Sequence, residues 1–560
     1  MRASLLVAFA MFLASSACGG TSPPPREPTT ERRTPRSVDE ALAQFPTRQR
    51  MNEIVRALPG SSEPPDLGPV VDRWEMEAAS LSIAPGPFEP IAVALARGAP
   101  GLVSSTSARC AAREIARFVA VHGELPNTYL GDYLVGRCGS ASLRASIAVR
   151  GFEVRGYDEG RLAREVSSDI VEGWRPTVAG QRGAIGVASA RARDRIIVAL
   201  VLDPERALRF ALSAPPTPVE GRVRVEGTFD GTAEELLALI SRGEADVAMC
   251  VTMMEGPRIT VDCPFEVSDA TAFVEVITRE PGRLVPRTGA RIVAVASPTD
   301  GLVYEERVDE TARGSDPIAG VVAAVNAYRA RLGRAPLALE RAQSEANQES
   351  VSAFFATQSA DVQEVAVLYA MAGWEVQGAV VGGNALAFEM PGGLEPGRWA
   401  AYILRHPFER YALLDPDVSR IAVGVREGPG VTRAMVSTYQ LFGPADPEGE
   451  RARVLAAIQR ARAEANLPPI GLLGPVPALS RWASRITAGA VSPTDAMDAA
   501  LREVGTVPGA SSTMVLGVHD LDRWPVPRAL LDARALDVAV AHYRPAGAAW
   551  GQYTVLVIFG

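Results

Sequence analysis

The 560-residue chain has no lysine, so all 57 of its basic residues are arginine. We read that absence as the coding bias of a GC-rich genome. No arginine is therefore given a phosphate or carboxylate role on residue type alone. Histidine is nearly as scarce. His122, His406, His519 and His542 are the full set, which leaves little for general acid–base work near neutral pH. No segment holds eighteen consecutive apolar residues, which argues against a membrane-spanning helix. The net charge of −8 is mild, and no basic stripe carries interleaved aromatics, so nucleic acid is not expected as a partner. A Walker-type loop, an HExxH helix and a GxGxxG turn are missing, and Ser104–Ser107 lacks the glycine frame of a nucleophile elbow. Met253, Met254 and the scattered tryptophans are read as core.

What is present begins with an export signal. Arg2 supplies a positive end, and Leu5–Leu13 is apolar but too short to cross a bilayer. The run Ala14-Ser15-Ser16-Ala17-Cys18-Gly19 resembles a bacterial lipobox, although Ser15 stands where leucine is preferred. Residues 1–18 are thus expected to be a lipoprotein signal peptide, with the Cys18 thiol diacylated as the mature N-terminus. Each buried methylene of such an anchor adds about 0.8 kcal/mol to membrane binding. Gly19 in place of aspartate implies the outer membrane, by resemblance to enterobacterial sorting. A secreted protein cleaved nearby is the alternative. Residues 19–65 are dense in proline, threonine and charge, without apolar periodicity, and read as a stiff tether.

The C-terminal half contains one unit written twice. Val321–Leu337 (VVAAVNAYRARLGRAPL) returns 133 positions later as Val454–Ile470 (VLAAIQRARAEANLPPI). Ala412–Gly443 returns 117 positions later as Ala529–Gly560, sharing Ala-Leu-Leu-Asp and a closing Phe-Gly. A repeat of this length is a duplicated domain rather than a solenoid motif. The interval between the two conserved stretches is sixteen residues shorter in the second copy. Ala184–Ala199 shares a Gly-Val and a later arginine with Ala422–Ser437, and reads as part of a third, decayed copy. The expected domains are 66–205, 312–443 and 449–560, with a small β-rich domain at 206–300. In the first unit, helices are expected over Ala108–Val121 and Tyr129–Val135. In the β-rich domain, Arg222–Phe229, Ala248–Met253, Ile259–Val267, Phe273–Thr278 and Ala290–Ala296 predict strands, and Glu234–Ser241 a short helix.

Five cysteines fit an exported protein. With Cys18 assigned to the anchor, four remain. Glu255-Gly256-Pro257-Arg258 is a turn signal whose centre is equidistant from Cys250 and Cys263, so a simple hairpin sets those two opposite each other at disulfide range. Cys110 and Cys138 are left to staple two helices. Closing a loop of this size contributes about 3 kcal/mol in the chain-entropy model. A Cys110 nucleophile served by His122 is the costlier reading, since no orienting aspartate is apparent.

Four stretches resemble the CAP superfamily (cysteine-rich secretory proteins, antigen 5, pathogenesis-related 1), in its bacterial SCP-like branch. Asn326, Arg329, Gly333, Pro336 and Leu337 match an N-x-x-R-x-x-x-G-x-x-P-L start. Ala372-Gly373-Trp374 followed by Gly382-Gly383-Asn384-Ala385 is similar to AGY…GENIA. Arg405–Pro416 resembles N-S-P-x-H-R-x-x-I-L-x-P, and Arg420–Val425 the I-G-V-G strand. The resemblance implies an α/β fold: repeated CAP-like α/β/α sandwiches, each with a surface cleft, and here a β-rich domain between them. In many members two histidines and two acidic residues line that cleft and bind a divalent metal. Here Glu409 stands at the second histidine, Gly383 at the Glu of GEN, and no histidine lies between Val321 and Arg405.

The residues left at the cleft are Asn384, Glu389, His406 and Glu409. His406 is read most simply as an exposed turn histidine beside Pro407. The alternative is a partial substitute ligand or base with Glu409 or Glu389. His542 is read as a core or sheet-face histidine. No metal, cofactor or catalytic residue is therefore expected. The expected function is a lipid-anchored envelope protein that binds lipid, polysaccharide or another protein. The alternatives are a secreted hydrolase rebuilt around His406, Glu409 and Glu389, and a structural surface scaffold.

Overall fold

The computed structural model describes residues 9–12 and, from 71 onward, all but short stretches, the longest being 306–315, 373–379, 505–511 and 545–550. Cys18, the tether and the Gly373-Trp374 pair lie outside the described residues. The protein is a mixed α/β multi-domain chain.

One plan recurs three times. The first unit runs α1 (Glu89–Gly98), β1 (Gly101–Ser104), α2 (Thr106–His122), α3 (Thr128–Arg137), β2 (Ser146–Glu153), α4 (Glu159–Val178), β3 (Arg182–Ala192) and β4 (Arg195–Pro204). Its sheet order is β1-β3-β4-β2, with β1 parallel to β3 and the other pairs antiparallel. The central hairpin β3–β4 is nearly all apolar, as a strand pair buried on both faces requires. The helices cover those faces. Ser105 caps α2 by accepting the Ala108 N–H, and Gly123 at φ +81° ends it in the left-handed region.

The β-rich domain follows with β5 (Leu208–Phe210), β6 (Arg222–Phe229), β7 (Glu235–Arg242), β8 (Asp246–Met249), β9 (Val251–Glu255), β10 (Arg258–Pro264), β11 (Thr271–Arg279) and β12 (Arg287–Val295). Its two sheets have the orders β8-β7-β11-β12 and β9-β10-β6-β5, and both contribute to one core. The helix expected over Glu234–Ser241 is instead the strand β7. Its ELLALIS run is apolar without a gap, so period alone leaves helix and strand open, and pairing with β8 and β11 decides. Met253 and Met254, expected in the core, are exposed at 46% and 47%, because β9 is an edge strand. The disulfides are Cys250–Cys263, extending the β9–β10 register with a Cα–Cα distance of 4.3 Å, and Cys110–Cys138, joining α2 to the end of α3.

The second unit comprises α5 (Pro317–Arg331), β13 (Ala338–Leu339), α6 (Arg341–Phe355), α7 (Ala360–Ala372), β14 (Val380–Pro391), α8 (Pro396–Ile403), α9 (Pro407–Leu414), β15 (Arg420–Gly428) and β16 (Val431–Leu441). The third comprises α10 (Pro447–Glu464), β17 (Gly471–Leu472), α11 (Pro477–Thr487), α12 (Pro493–Val504), β18 (Ser512–Val518), α13 (Arg528–Asp532), β19 (Ala535–Tyr543) and β20 (Gln552–Phe559). Their sheets read β13-β15-β16-β14 and β17-β19-β20-β18, the order of the first unit. In the full chain Phe9–Phe12 adds a parallel strand beside β14. The sixteen-residue deficit of the third unit falls on β18, shorter than β14, and on α8, which has no counterpart among the described residues between β18 and α13.

The duplicated motif residues are structural. Asn326 brackets Leu337 with two hydrogen bonds of 3.0 and 2.7 Å, and Gln459 brackets Ile470 in the same way at 3.2 Å each. Buried Arg329 donates to the carbonyls of Ala335, Leu413, Asp415 and Val418, tying α5 to the chain that leaves α9. Buried Arg462 donates to Pro468, Leu531 and Ala533. Guanidinium geometry suits this role, because one planar fork satisfies several carbonyls that turn away from regular structure. Replacing Arg462 by methionine keeps the volume and orphans those carbonyls. We expect a loss of about 3 kcal/mol in the third unit, measured as an earlier urea transition by circular dichroism. An unchanged transition would refute that role.

Candidate functional site

The structure parts Glu389 from the other three cleft candidates. β14 alternates its faces. Leu386 and Phe388 join the core under α5, α8 and α9, while Ala385 and Ala387 join the one under α6 and α7. Asn384 therefore lies on the α9 side and Glu389 on the opposite side. Glu389 meets its cross-strand partner Arg433 at 2.6 Å. It cannot reach His406 or Glu409 through the sheet, so the three-residue hydrolase constellation does not form. Gly383, which precedes Asn384, sits flush on β16: a Cβ there would lie 2.4 Å from the Thr438 carbonyl oxygen. The position has no room for a side chain.

His406 is not an exposed turn histidine. It precedes α9 and is 2% exposed. Its ring stacks on Tyr129 of α3 at 5.4 Å and meets the edge of Phe273 of β11 at 5.6 Å. The second unit thus inserts this side chain between the first unit and the β-rich domain. Burial, followed by the positive charges of Arg291, Arg405 and Arg410, holds the imidazole well below its ordinary pKa. Neither ring nitrogen has a hydrogen-bond partner.

Glu409, one turn further along α9, is equally buried, with its carboxyl beside that of Glu275. Burial and the neighbouring Glu275 carboxylate push its pKa well up, against the pull of Arg291. Glu275 also serves two other donors. One oxygen accepts Arg291 Nε at 2.7 Å, and the other accepts the Phe408 N–H at 3.0 Å. It thereby caps α9 across the domain boundary, where His406 offers no side-chain cap. Arg291 also reaches Asp132 of α3 at 3.1 Å. Burial opposes its charge, but Glu275 and Asp132 outweigh that and raise its pKa. Arg410 donates to Leu404 and Gly243, and burial lowers its pKa to about 10.

These groups form an interlock. Asp132 and Tyr129 come from the first unit, Glu275 and Arg291 from the β-rich domain, and His406, Glu409 and Arg410 from the second unit. Glu275, Arg291 and Asp132 carry no motif signal. A charge set among apolar neighbours (Glu275 in FVEVI, Arg291 in ARIVAV) is the hint that Glu275 and Arg291 leave in the sequence. Among the described residues, no cluster of three or more His, Cys, Asp or Glu could hold a metal ion. No family model matches the chain, and no curated protein matches it.

The pH response follows from the two shifts. Glu409 is raised, so its contribution is complete below the free-carboxyl value of about 4.3 and is lost as pH rises through the folded value. His406 is lowered, so stability also falls as pH drops below about 6.5. Glu409→Gln should mimic the protonated acid. We expect it to melt several degrees above the natural chain at pH 7.5 and level with it near pH 4, by calorimetry. A lower melting temperature at pH 7.5 would refute the neutral-acid reading.

Proposed function

We propose that this is an exported, lipid-anchored envelope protein whose three like units, degenerate relatives of the CAP superfamily, bind a ligand or partner without catalysing a reaction. One observation supports it most. The histidine–carboxylate pair nearest the family's metal site is sealed between three parts of the chain, where it serves cohesion. Proton transfer to a substrate needs a base within hydrogen-bond reach of it, and a ring stacked on Tyr129 against Phe273 offers no such approach. Asn326, Arg329 and Gly333, by contrast, keep structural roles in the turn and staple. A lineage that retains the scaffold and loses the cleft ligands suits recognition.

Export is supported by the two disulfides. No helix among the described residues is long and apolar enough to cross a membrane, so attachment would fall to acylated Cys18. The tether would lift the folded units off the outer membrane. Ligands of the classes named above (lipid, polysaccharide, protein) remain the candidates on this reading.

Cys18→Ser is expected to abolish labelling by radioactive palmitate and to move the protein from the membrane pellet to the soluble fraction. Metal analysis of the mature protein is expected to find no stoichiometric divalent ion. A pelleting, unlabelled variant would end the anchor reading. A bound stoichiometric metal would end the non-catalytic one.

A further inference from the structure

The second and third units treat the same stretch of sheet edge differently. β13 and β17 are each two residues long and pair with the neighbouring strand only as far as Ile421 and Leu536. Beyond that point β15 and β19 are edges, and their outward main-chain groups need partners from elsewhere. In the second unit α6 supplies them. Ser344 Oγ accepts the Val423 N–H at 3.1 Å, and Gln348 Nε2 donates to the Val425 carbonyl at 3.1 Å.

Counted from Leu536 as from Ile421, the third unit's equivalents are Val538 and Val540. On the side away from β20, the Leu536 carbonyl accepts the Leu473 N–H and the His542 N–H donates to Thr487 Oγ1. Alternate residues of a strand turn their N–H and C=O the same way, so those of Val538 and Val540 point outward too. Counted from the first residue of each helix, Ser480 stands for Ser344 and Ser484 for Gln348. The short Ser484 hydroxyl donates to the Ser480 carbonyl of its own helix at 3.0 Å. Among the described residues nothing meets the N–H or C=O of Val540 on that side, although Val540 is buried.

A cavity of about 150 Å³ lies there. It touches Val538 and Val540 on one face of β19 and Ala539 on the other, so it straddles the strand's edge, with Ala483 and Ser484 of α11 across from it. Its charged lining residues are committed: Arg451 to Asp537 at 2.6 Å, and Glu450 to His542 at 2.7 Å. The cavity therefore offers a neutral pair, the N–H and C=O of one residue side by side. A primary carboxamide matches that pair, because its oxygen and one of its N–H groups also point the same way. A secondary amide does not, since its trans geometry sets them opposite.

We propose that this cavity binds a primary carboxamide on a short alkyl stem, the side chain of a glutaminyl residue in a peptide. The ligand takes the place that Gln348 fills from within the second unit. Its oxygen accepts the Val540 N–H and its nitrogen donates to the Val540 carbonyl. At about 30 Å³ per water the cavity has room for roughly five waters, which admits the amide head and the adjoining methylene and leaves the peptide main chain outside. Free glutamine brings an ammonium and a carboxylate for which the committed Glu450 and Arg451 hold no free partner. The assignment deepens the binding reading and rests on it. Its failure would leave that reading to its own fractionation and metal tests.

The test is saturation-transfer NMR on the mature protein with n-butyramide, N-methylbutyramide and sodium butyrate. We expect saturable transfer to the butyramide methyl. We expect none to butyrate, and none to N-methylbutyramide, whose added methyl replaces the N–H beside its oxygen. N-acetylglutamine methylamide should displace butyramide, and free glutamine should not. Ser484 is exposed. Ser484→Gln, which restores the second unit's residue, and Ser484→Trp, which fills the mouth, should each weaken binding roughly tenfold or more without lowering the melting temperature. Absence of saturable transfer, an equal signal from N-methylbutyramide, displacement by free glutamine alone, or undiminished binding in both variants would each overturn the proposal.

Discussion

Arg291 is the charge on which the arrangement of domains depends. It lies out of water between Glu275 and Asp132, and such an ion is tolerable only while both carboxylates stay in place. Glu275 in turn holds the first free N–H of α9 through Phe408. Three parts of the chain are thereby locked by one set of hydrogen bonds that none can satisfy alone. Apolar packing follows the same path. Val293 and Val295 of β12 complete the core under α2 and α3, while Leu239 and Ile277 join the core under α5 and α9. The β-rich domain is therefore a shared wall rather than a bead on a string. The third unit attaches differently, through Val381 in its core and a main-chain bond from Gly551 to Val380.

Three copies of one plan show what the plan requires and what it lets drift. Sheet order and the short parallel strand persist in all three. The arginine staple and its polar bracket persist in the second and third, because carbonyls leaving a helix need donors wherever the chain makes that turn. The glycine at the helix–sheet contact persists in the first and second, as Gly186 and Gly424. Its loss in the third changes no topology.

Local signals were readable where chemistry acts over a few residues. The Gly256-Pro257 turn set the register that pairs Cys250 with Cys263. Asn326, Arg329 and Gly333 stood out as a repeated pattern, and the structure gives them the turn after α5 and its staple. Mistakes arose where burial is decided by distant segments. Glu235–Arg242 has the composition of either element, and β11 made it a strand. Met253 and Met254 look like core but lie on an edge. His406 beside Pro407 looks like a solvent turn, yet Tyr129 lies 277 positions earlier and covers it. Glu389 seemed a neighbour of Glu409, but strand alternation put a sheet between them.

The amino-acid order by itself determined the doubled stretches and the two cysteine pairs. These rest on short-range geometry and on residue type, which travel with the chain. Only the tertiary structure decided which charges are buried, that Glu275, Arg291, Asp132 and Glu409 belong together, and that Glu450 and His542 face one cavity. Desolvation is a property of surroundings assembled from segments far apart in sequence, so no local window contains it.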